Sequence, residues 1–183
     1  MCIRDRFDQA PFKWDDVYSD WDEDDDLKYY WKNYSFKVLN RERKYIMSHF
    51  GCVYNCSFCC TSVTRKSYGA KAYKEFWLAR RPVENMIKEA KLFLKFDTKE
   101  VSFEDDDVLY GTHEGADGTE WLEEFTKAWK KEINIPMYAN ATPQTVVKAT
   151  PAALSTISEL VDTVQMGVQT TQGDSSRLFN RHF

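Results

Sequence analysis

Two hydrophobic patterns alternate along most of the chain, one with helical spacing and one in short apolar runs. A broad apolar face with helical spacing begins after Pro82, a residue that suits the first turn of a helix. The same spacing predicts a second helix over residues 117–133 and a shorter one over 151–160, which Thr150 is suited to cap. A further helix is expected to begin near residue 175.

Short runs rich in β-branched and aromatic residues lie between these helices and predict strands. The predicted strands cover residues 44–49, 100–104, 135–141 and 161–169. Strands and helices that alternate at a spacing of about 30 residues are typical of βαβ units on a parallel sheet. The sequence therefore predicts an α/β fold with a parallel sheet and about four βα units.

Each predicted strand is followed by a polar or cysteine-rich segment. These segments cover residues 51–60, 104–107, 140–144 and 169–174. In parallel α/β folds ligands bind at the carboxyl ends of the strands, which meet at one rim. We therefore expect the segments to form one site.

Composition changes this picture only in the first part of the chain. The chain has 183 residues, of which 43% are hydrophobic and 15% aromatic, as is ordinary for a globular domain. Its net charge of −4 depends on eight acidic residues within 15–26, since the remainder carries +4. We interpret residues 1–43 as an irregular acidic and aromatic lead-in or linker, and residues 44–183 as the core domain.

No apolar run is long enough to span a membrane.

Four of the five cysteines lie within residues 51–60, and three of them have the spacing CxxxCxxC. This crowding favours a metal or redox site in a reducing cytosol over a disulfide framework, so we expect a cytoplasmic protein. At this spacing, Cys52, Cys56 and Cys59 suit zinc or an iron–sulfur cluster. Cys60 directly follows Cys59, and we expect it to be a small buried residue and not a ligand.

Other interpretations of these segments remain open. A structural zinc site would use His49 as a fourth ligand beside the three cysteines, and an electron-transfer cluster would need one further cysteine. The basic stretch over residues 65–81 is typical either of a solvated face or of a surface that contacts RNA or another anion. The alternative function is therefore a structural zinc or iron–sulfur binding module that contacts RNA.

The cysteine motif, in this order of strands and helices, resembles the radical S-adenosylmethionine (SAM) superfamily. The residues that carry the resemblance are Cys52, Cys56, Phe58 and Cys59, directly after the first predicted strand. The stretches FEDDD at 103–107 and MGVQT at 166–170 are similar to the branch that contains cobalamin-dependent and MiaB-like members. The resemblance covers the predicted core domain.

The resemblance implies both a fold and a reaction. The fold is a partial (β/α)6 TIM-like barrel, in which Cys52, Cys56 and Cys59 hold a [4Fe-4S] cluster whose open iron chelates SAM. The reaction is reductive cleavage of SAM to a 5′-deoxyadenosyl radical that activates a substrate, here unknown. It draws electrons from a low-potential donor of the flavodoxin or ferredoxin type. The reactions that the resemblance implies include a cobalamin-dependent methyl transfer, with cobalamin bound in a domain absent from this chain.

The same resemblance implies which side chains contact SAM. They are Phe58, Glu104, Asp105, Asp106, Asn140 and Gln169. Phe58 lies beside the adenine, and the carboxylates of the acidic segment bind the SAM ammonium group or the ribose hydroxyls. The two amides contact the ribose or the carboxylate. Many relatives carry Glu-Ser where this chain has Gln169-Thr170.

The predicted core is shorter than a whole barrel of this type. Six βα units need about 180–200 residues, whereas residues 44–183 suffice for about four units. We expect the core to be truncated at its carboxyl end, with the last strands and most substrate specificity in a missing part of a longer protein. An upstream cobalamin-binding domain is expected to be missing as well. The sequence predicts no individual catalytic residue.

Overall fold

The computed structural model describes residues 42–180, except residues 70, 72 and 97. The predicted lead-in therefore lies outside the described residues, apart from its last two positions. Within the described part, strands and helices alternate along the chain.

The strands form one parallel sheet at the centre of the described residues. They are β1 (Arg43–Ile46), β2 (Glu100–Phe103), β3 (Met137–Ala141) and β4 (Thr163–Met166). The sheet is four-stranded, with the strands side by side in chain order. This order is that of a barrel wall, whereas a doubly wound sheet reverses direction partway. The predicted α/β fold with about four βα units on a parallel sheet is confirmed.

The helices of the described residues are α1 (Cys60–Tyr68), α2 (Val83–Phe93), α3 (Gly118–Glu132), α4 (Pro143–Lys148), α5 (Pro151–Leu160) and α6 (Gly173–Leu178), with a π-helical turn over Tyr73–Trp77. The predictions of α2, α3, α5 and α6 are confirmed, with small shifts at their ends. The sequence did not predict α1. Ser62 is the one buried side chain of this helix, and a helix with so little buried apolar surface shows no hydrophobic periodicity. The short α4 also escaped prediction, although Thr142 caps it by accepting a hydrogen bond from the Thr145 amide at 3.3 Å.

One face of the sheet packs against the helices and forms the core. Its buried side chains are Ile46, Val101, Phe103, Met137, Ala139 and Ala141. An aromatic ladder along α3 covers them: Phe125 lies 5.4 Å from Phe103 and 5.1 Å from Trp121, measured between ring centroids. Helix α3 also packs on α2 and α5, so it is the central helix of this layer.

The opposite face of the sheet is polar and more open. Alternation along the strands places Tyr45, Ser102, Tyr138 and Thr163 side by side on it. All residues of β4 are exposed, and β4 lies at the edge of the sheet within the described part of the chain. The sheet thus separates a packed outer layer of helices from an open inner surface.

Burial on the helix side predicts which leucines stabilise the fold. Leu122 on α3 is 0% exposed, whereas Leu94 after α2 is 52% exposed. We expect Leu122→Ala to lower the free energy of unfolding by about 2–5 kcal/mol, because it leaves a cavity in the core. Leu94→Ala, the matched control, should change it by about 0.5 kcal/mol or less. Urea denaturation measures both, and equal losses would contradict the assignment of the core.

Candidate functional site

The segment that carries the cysteines is an irregular loop between β1 and α1, and Tyr73 holds its first half. Tyr73 is buried, and its hydroxyl accepts a hydrogen bond from the Cys52 amide at 2.8 Å and donates one to the Cys52 carbonyl at 3.2 Å. Gly51 has φ of 90°, and a Cβ there would collide with the Tyr73 ring and hydroxyl. A glycine is therefore required for the close approach that fixes Cys52.

The second half of the cysteine loop is held by the residues that follow α6. The Ser57 amide donates to the Phe179 carbonyl at 3.0 Å, and the Asn180 side chain donates to the Asn55 carbonyl at 2.8 Å. The Phe58 and Phe179 rings meet edge to face, with centroids 5.7 Å apart. Phe58 itself remains 54% exposed. The end of the fourth βα unit thus contacts the loop that follows the first strand.

Asp105, after β2, fixes the start of the cysteine loop. It is fully buried, and its carboxylate accepts hydrogen bonds from the Ser48 amide at 2.6 Å and the His49 amide at 3.3 Å, and from the Ser48 hydroxyl. The His49 Nδ1 atom lies 2.9 Å from the same carboxylate. Burial opposes ionisation of Asp105, but the His49 ring, the Arg80 guanidinium and the Ser48 hydroxyl lower its pKa below the ordinary value.

Asp107 ties the end of β2 to the end of β3. Its carboxylate accepts hydrogen bonds from the hydroxyls of Thr142 and Thr145, each at 2.8 Å, and from the Leu109 amide at 3.1 Å. Burial raises the pKa of Asp107 above its ordinary value, although the bonds to both threonines oppose this shift. The acidic segment thus contains two buried carboxylates that hold neighbouring strand ends together.

One cavity of about 200 Å³ lies at the carboxyl ends of the strands, and we call it the cysteine cavity. Its lining includes these residues predicted from the sequence: Cys52, Cys56, Phe58, Cys59, Asp106, Asn140 and Gln169. The segments that follow β1 and β2 and the carboxyl ends of β3 and β4 therefore line the cavity. Two of the predicted side chains do not line it: Asp105 is buried under the loop, and Glu104 accepts a hydrogen bond from Ser102.

The cavity also contains residues that the sequence did not indicate. Tyr54, Thr61 and Gln165 form part of its wall. Gln165 pairs with Asn140 across β3 and β4, so alternation along β4 is the signal that would have found it. Gln169 itself has φ of 59°, which turns the chain back toward the cavity after β4.

The described cysteines are all free thiols. Cys56 is buried, whereas Cys52 and Cys59 are half-buried. Cys60 is exposed, so the expectation that it is a buried packing residue is wrong: at the first position of α1 it points to solvent. Burial raises the pKa of Cys52 to about 12, and a metal ion that binds there must displace its proton.

The thiols share one cavity but are not gathered at one point. Among the residues that the structure describes, no three His, Cys, Asp or Glu side chains lie close enough together to hold a metal ion. His49, the alternative fourth ligand for zinc, does not line the cysteine cavity, and its Nδ1 atom faces Asp105. The three thiols are donors of the type that soft metals prefer, and the loop would have to bring them closer together to bind one.

The basic stretch does not form one continuous surface. Arg80 donates to the carbonyls of Val108 at 2.9 Å and Tyr110 at 2.8 Å, and its guanidinium lies 4.5 Å from the Trp121 ring centroid. Arg81 is also internal, at 3% exposure. Exposed lysines of this stretch, such as Lys66, Lys71 and Lys74, remain at the surface. Part of the stretch is thus structural, which weakens the case for an RNA-binding face.

The fold is similar to the partial barrels of solved radical SAM enzymes. The chain is similar to the cobalamin-dependent S-adenosylmethionine radical enzyme OxsB with aqua-cobalamin bound, at a TM-score of 0.57 and 14% identity over 76% of this chain and 20% of that one. It is also similar to the radical S-adenosylmethionine methyltransferase TsrM from Kitasatospora setae with tryptophan substrate and the SAM analogue aza-SAM bound. That similarity has a TM-score of 0.55 and 11% identity over 86% of this chain and 27% of that one.

These similarities establish the fold and not the activity. The chain spans only about a fifth to a quarter of the length of these solved structures. No protein-family model and no curated protein matches the sequence. None of the helices in the described residues has the length and apolar character needed to cross a bilayer.

The contacts of Asp105 predict a specific dependence of stability on pH. Because its pKa is lower in the folded protein than its ordinary value of 3.8, its ionised form stabilises the fold above that pH. This stabilisation is lost as the pH falls through the folded pKa. We expect Asp105→Asn to cost about 1–3 kcal/mol near neutral pH, because it leaves the buried donors of Ser48 and His49 without their charged acceptor.

The test is urea denaturation of both proteins from near neutral pH down to about pH 3. The stability difference between them should shrink toward acid pH. Asp106→Asn is the matched control, because Asp106 is exposed; it should change stability by about 0.5 kcal/mol or less. A difference that stays constant with pH would contradict the role assigned to Asp105.

Proposed function

We propose that this chain is the cluster- and SAM-binding part of a radical SAM enzyme. The observation that carries the proposal is the cysteine cavity. It brings the three cysteines of the CxxxCxxC motif together with Asp106 after β2 and Asn140 at the end of β3. The similarity in fold to solved radical SAM enzymes supports the same conclusion.

Cys52, Cys56 and Cys59 would hold the [4Fe-4S] cluster. With these three protein ligands, one iron of the cluster would remain open to SAM, and the bound cluster would supply the electron for reductive cleavage of SAM to a 5′-deoxyadenosyl radical. The protein's part is to bind, orient and exclude water. The contacts of Tyr73 with Cys52 and of Phe179 with Ser57 hold both halves of the loop for this purpose.

Four side chains of the cavity wall are suited to SAM. Phe58 presents an exposed ring beside the cysteines for the adenine. Asp106 offers a carboxylate to the SAM ammonium group, and Asn140 and Gln169 offer amides to the ribose hydroxyls or the carboxylate. Asp105 has a different role, since both of its oxygens are engaged by the start of the loop.

The remaining parts of the proposal concern partners. The reaction requires a low-potential electron donor of the flavodoxin or ferredoxin type, because SAM cleavage needs a potential near the low end of the iron–sulfur range. Cobalamin is bound in the solved OxsB structure and in a solved structure of the methyltransferase TsrM, which supports a cobalamin-dependent methyl transfer as one candidate reaction. The free thiols suit a reducing cytoplasm.

Metal content tests the proposal directly. The chain, reconstituted without oxygen, is expected to bind about four iron and four sulfide ions and to form 5′-deoxyadenosine from SAM when reduced with dithionite. Cys56→Ala should lose most of the iron and the product, because it removes a ligand that lines the cavity. Cys60→Ala is the matched control. It should keep both the iron and the product, because Cys60 is exposed and does not line the cavity.

Two outcomes would contradict the proposal. One is binding of a single zinc ion without iron or sulfide, which would indicate a structural metal site. The other is equal loss of iron in Cys56→Ala and Cys60→Ala, which would mean that the cluster ligands are not those of the CxxxCxxC motif.

A further inference from the structure

A second cavity, of about 260 Å³, adjoins the cysteine cavity, and we call it the Lys148 cavity. Its walls come from the cysteine loop, the segment between β2 and α3, and helix α4. None of the described strand residues lines it, whereas Asn140, Ala141 and Gln165 of β3 and β4 line the cysteine cavity. Leu109 in its wall belongs to the core on the helix side of the sheet. The Lys148 cavity therefore borders the helix layer and not the open inner surface of the sheet.

Hydrogen bonds hold the segment after β2 in place before any ligand binds. The Arg80 guanidinium donates to the carbonyls of Val108 at 2.9 Å and Tyr110 at 2.8 Å. The Gly118 amide donates to the Gly111 carbonyl at 3.0 Å. Gly111 has φ of 73°, and a Cβ on Gly118 would lie 2.5 Å from the Gly111 oxygen, so both positions require glycine. This wall is preformed, as walls of ligand-binding pockets usually are.

Helix α4 forms the opposite wall, and the backbone after it is joined to the same segment. The Thr150 amide donates to the Thr112 carbonyl at 2.9 Å. An isolated antiparallel bridge pairs His113 with Ala149, the residue that directly follows Lys148. The two basic side chains that line the cavity, His113 and Lys148, are thus brought together from different segments by backbone contacts.

The charged groups of the Lys148 cavity favour an anion. Lys148 and His113 are both exposed, and none of the lining residues is Asp or Glu. In the described part of the chain, no ion pair joins Lys148 to another side chain. Glu114 and Asp117 follow in the same segment but do not line the cavity. An acid group in the cavity would therefore accept a charge-assisted hydrogen bond from an ammonium group that no carboxylate already holds.

The rest of the lining is largely apolar and aromatic. Val53 and Leu109 supply aliphatic surface, and Tyr54 and Tyr110 supply two half-buried rings. Aromatic side chains pack well against flat apolar groups. An apolar cavity of about 150 Å³ can hold benzene, so a volume of about 260 Å³ suffices for one six-membered ring that carries an acid group.

We propose that the Lys148 cavity is a binding site for a small aromatic anion, a molecule that joins one flat ring to a carboxylate or a phosphate. The acid group binds Lys148 and His113, and the ring packs against Tyr54 and Tyr110. This site is separate from the places proposed for the cluster and for SAM, so the inference does not rest on the proposed function. Tyr54 lines both cavities, so the bound anion lies against the outer side of the cysteine loop.

Three single-ring compounds test the ligand class. Benzoate and phenyl phosphate carry an anionic group on a phenyl ring, whereas benzylamine carries an ammonium group. Saturation-transfer NMR titrations of the full, anaerobically reconstituted chain should show saturable binding of at least one of the two anions and none of benzylamine. The anion that binds more tightly identifies the acid group. Acetate and inorganic phosphate, which lack the ring, should bind about tenfold more weakly or less than that.

Substitutions of Lys148 test the role of its charge. Lys148→Gln should weaken binding of the tighter anion about tenfold or more, as expected for a lost charged hydrogen bond. Lys148→Glu should reverse the preference, so that benzylamine binds more tightly than either anion. Because Lys148 is exposed at the end of α4, neither change removes a core contact. Lys131→Gln is the matched control in the last turn of α3; it is equally exposed and should leave binding unchanged.

SAM competition tests whether the anion binds in the Lys148 cavity or in the cysteine cavity. Saturating SAM should leave the titration with the tighter anion unchanged. Displacement of the anion by SAM would overturn the proposal, because it would place the anion in the cysteine cavity. The proposal would also be overturned by binding of neither anion, by benzylamine binding as tight as that of the anions, or by equal effects of Lys148→Gln and Lys131→Gln.

Discussion

The site depends on one buried carboxylate. Asp105 lies directly after β2, and its oxygens accept two hydrogen bonds from Ser48 and one from the His49 amide. The His49 Nδ1 atom lies 2.9 Å from the same carboxylate. A carboxylate that is fully buried is stable only with such partners. The strand end and the loop therefore fix each other, and the thiols that follow begin from a defined position.

From that point the cysteine loop is held by parts of the chain that are distant in sequence. Tyr73 approaches Cys52 after α1, and Phe179 and Asn180 reach the loop from beyond α6. A loop with this many external contacts loses less entropy when it closes around a cluster than a free loop does. The same contacts join the first and last βα units that the structure describes.

The sequence predicted the features that depend on periodicity and missed those that depend on tertiary contacts. Helix α3 and the strands carry strong apolar patterns, so their positions followed from spacing alone. Helix α1 has little apolar surface, and nothing local distinguishes Asp105 from Asp106, although one is buried under the loop and the other lines the cavity. Cys60 was expected inside, yet it starts α1 on the exposed side.

The central claim is that SAM binds the cluster through an iron that the protein leaves open. Electron paramagnetic resonance of the reduced, reconstituted chain tests it most directly, with spectra recorded before and after SAM is added. The account predicts a reduced [4Fe-4S] signal whose shape and g-values change when SAM binds. A cluster signal that stays the same at saturating SAM would contradict it and would leave the cysteine cavity as the site of a plain electron carrier.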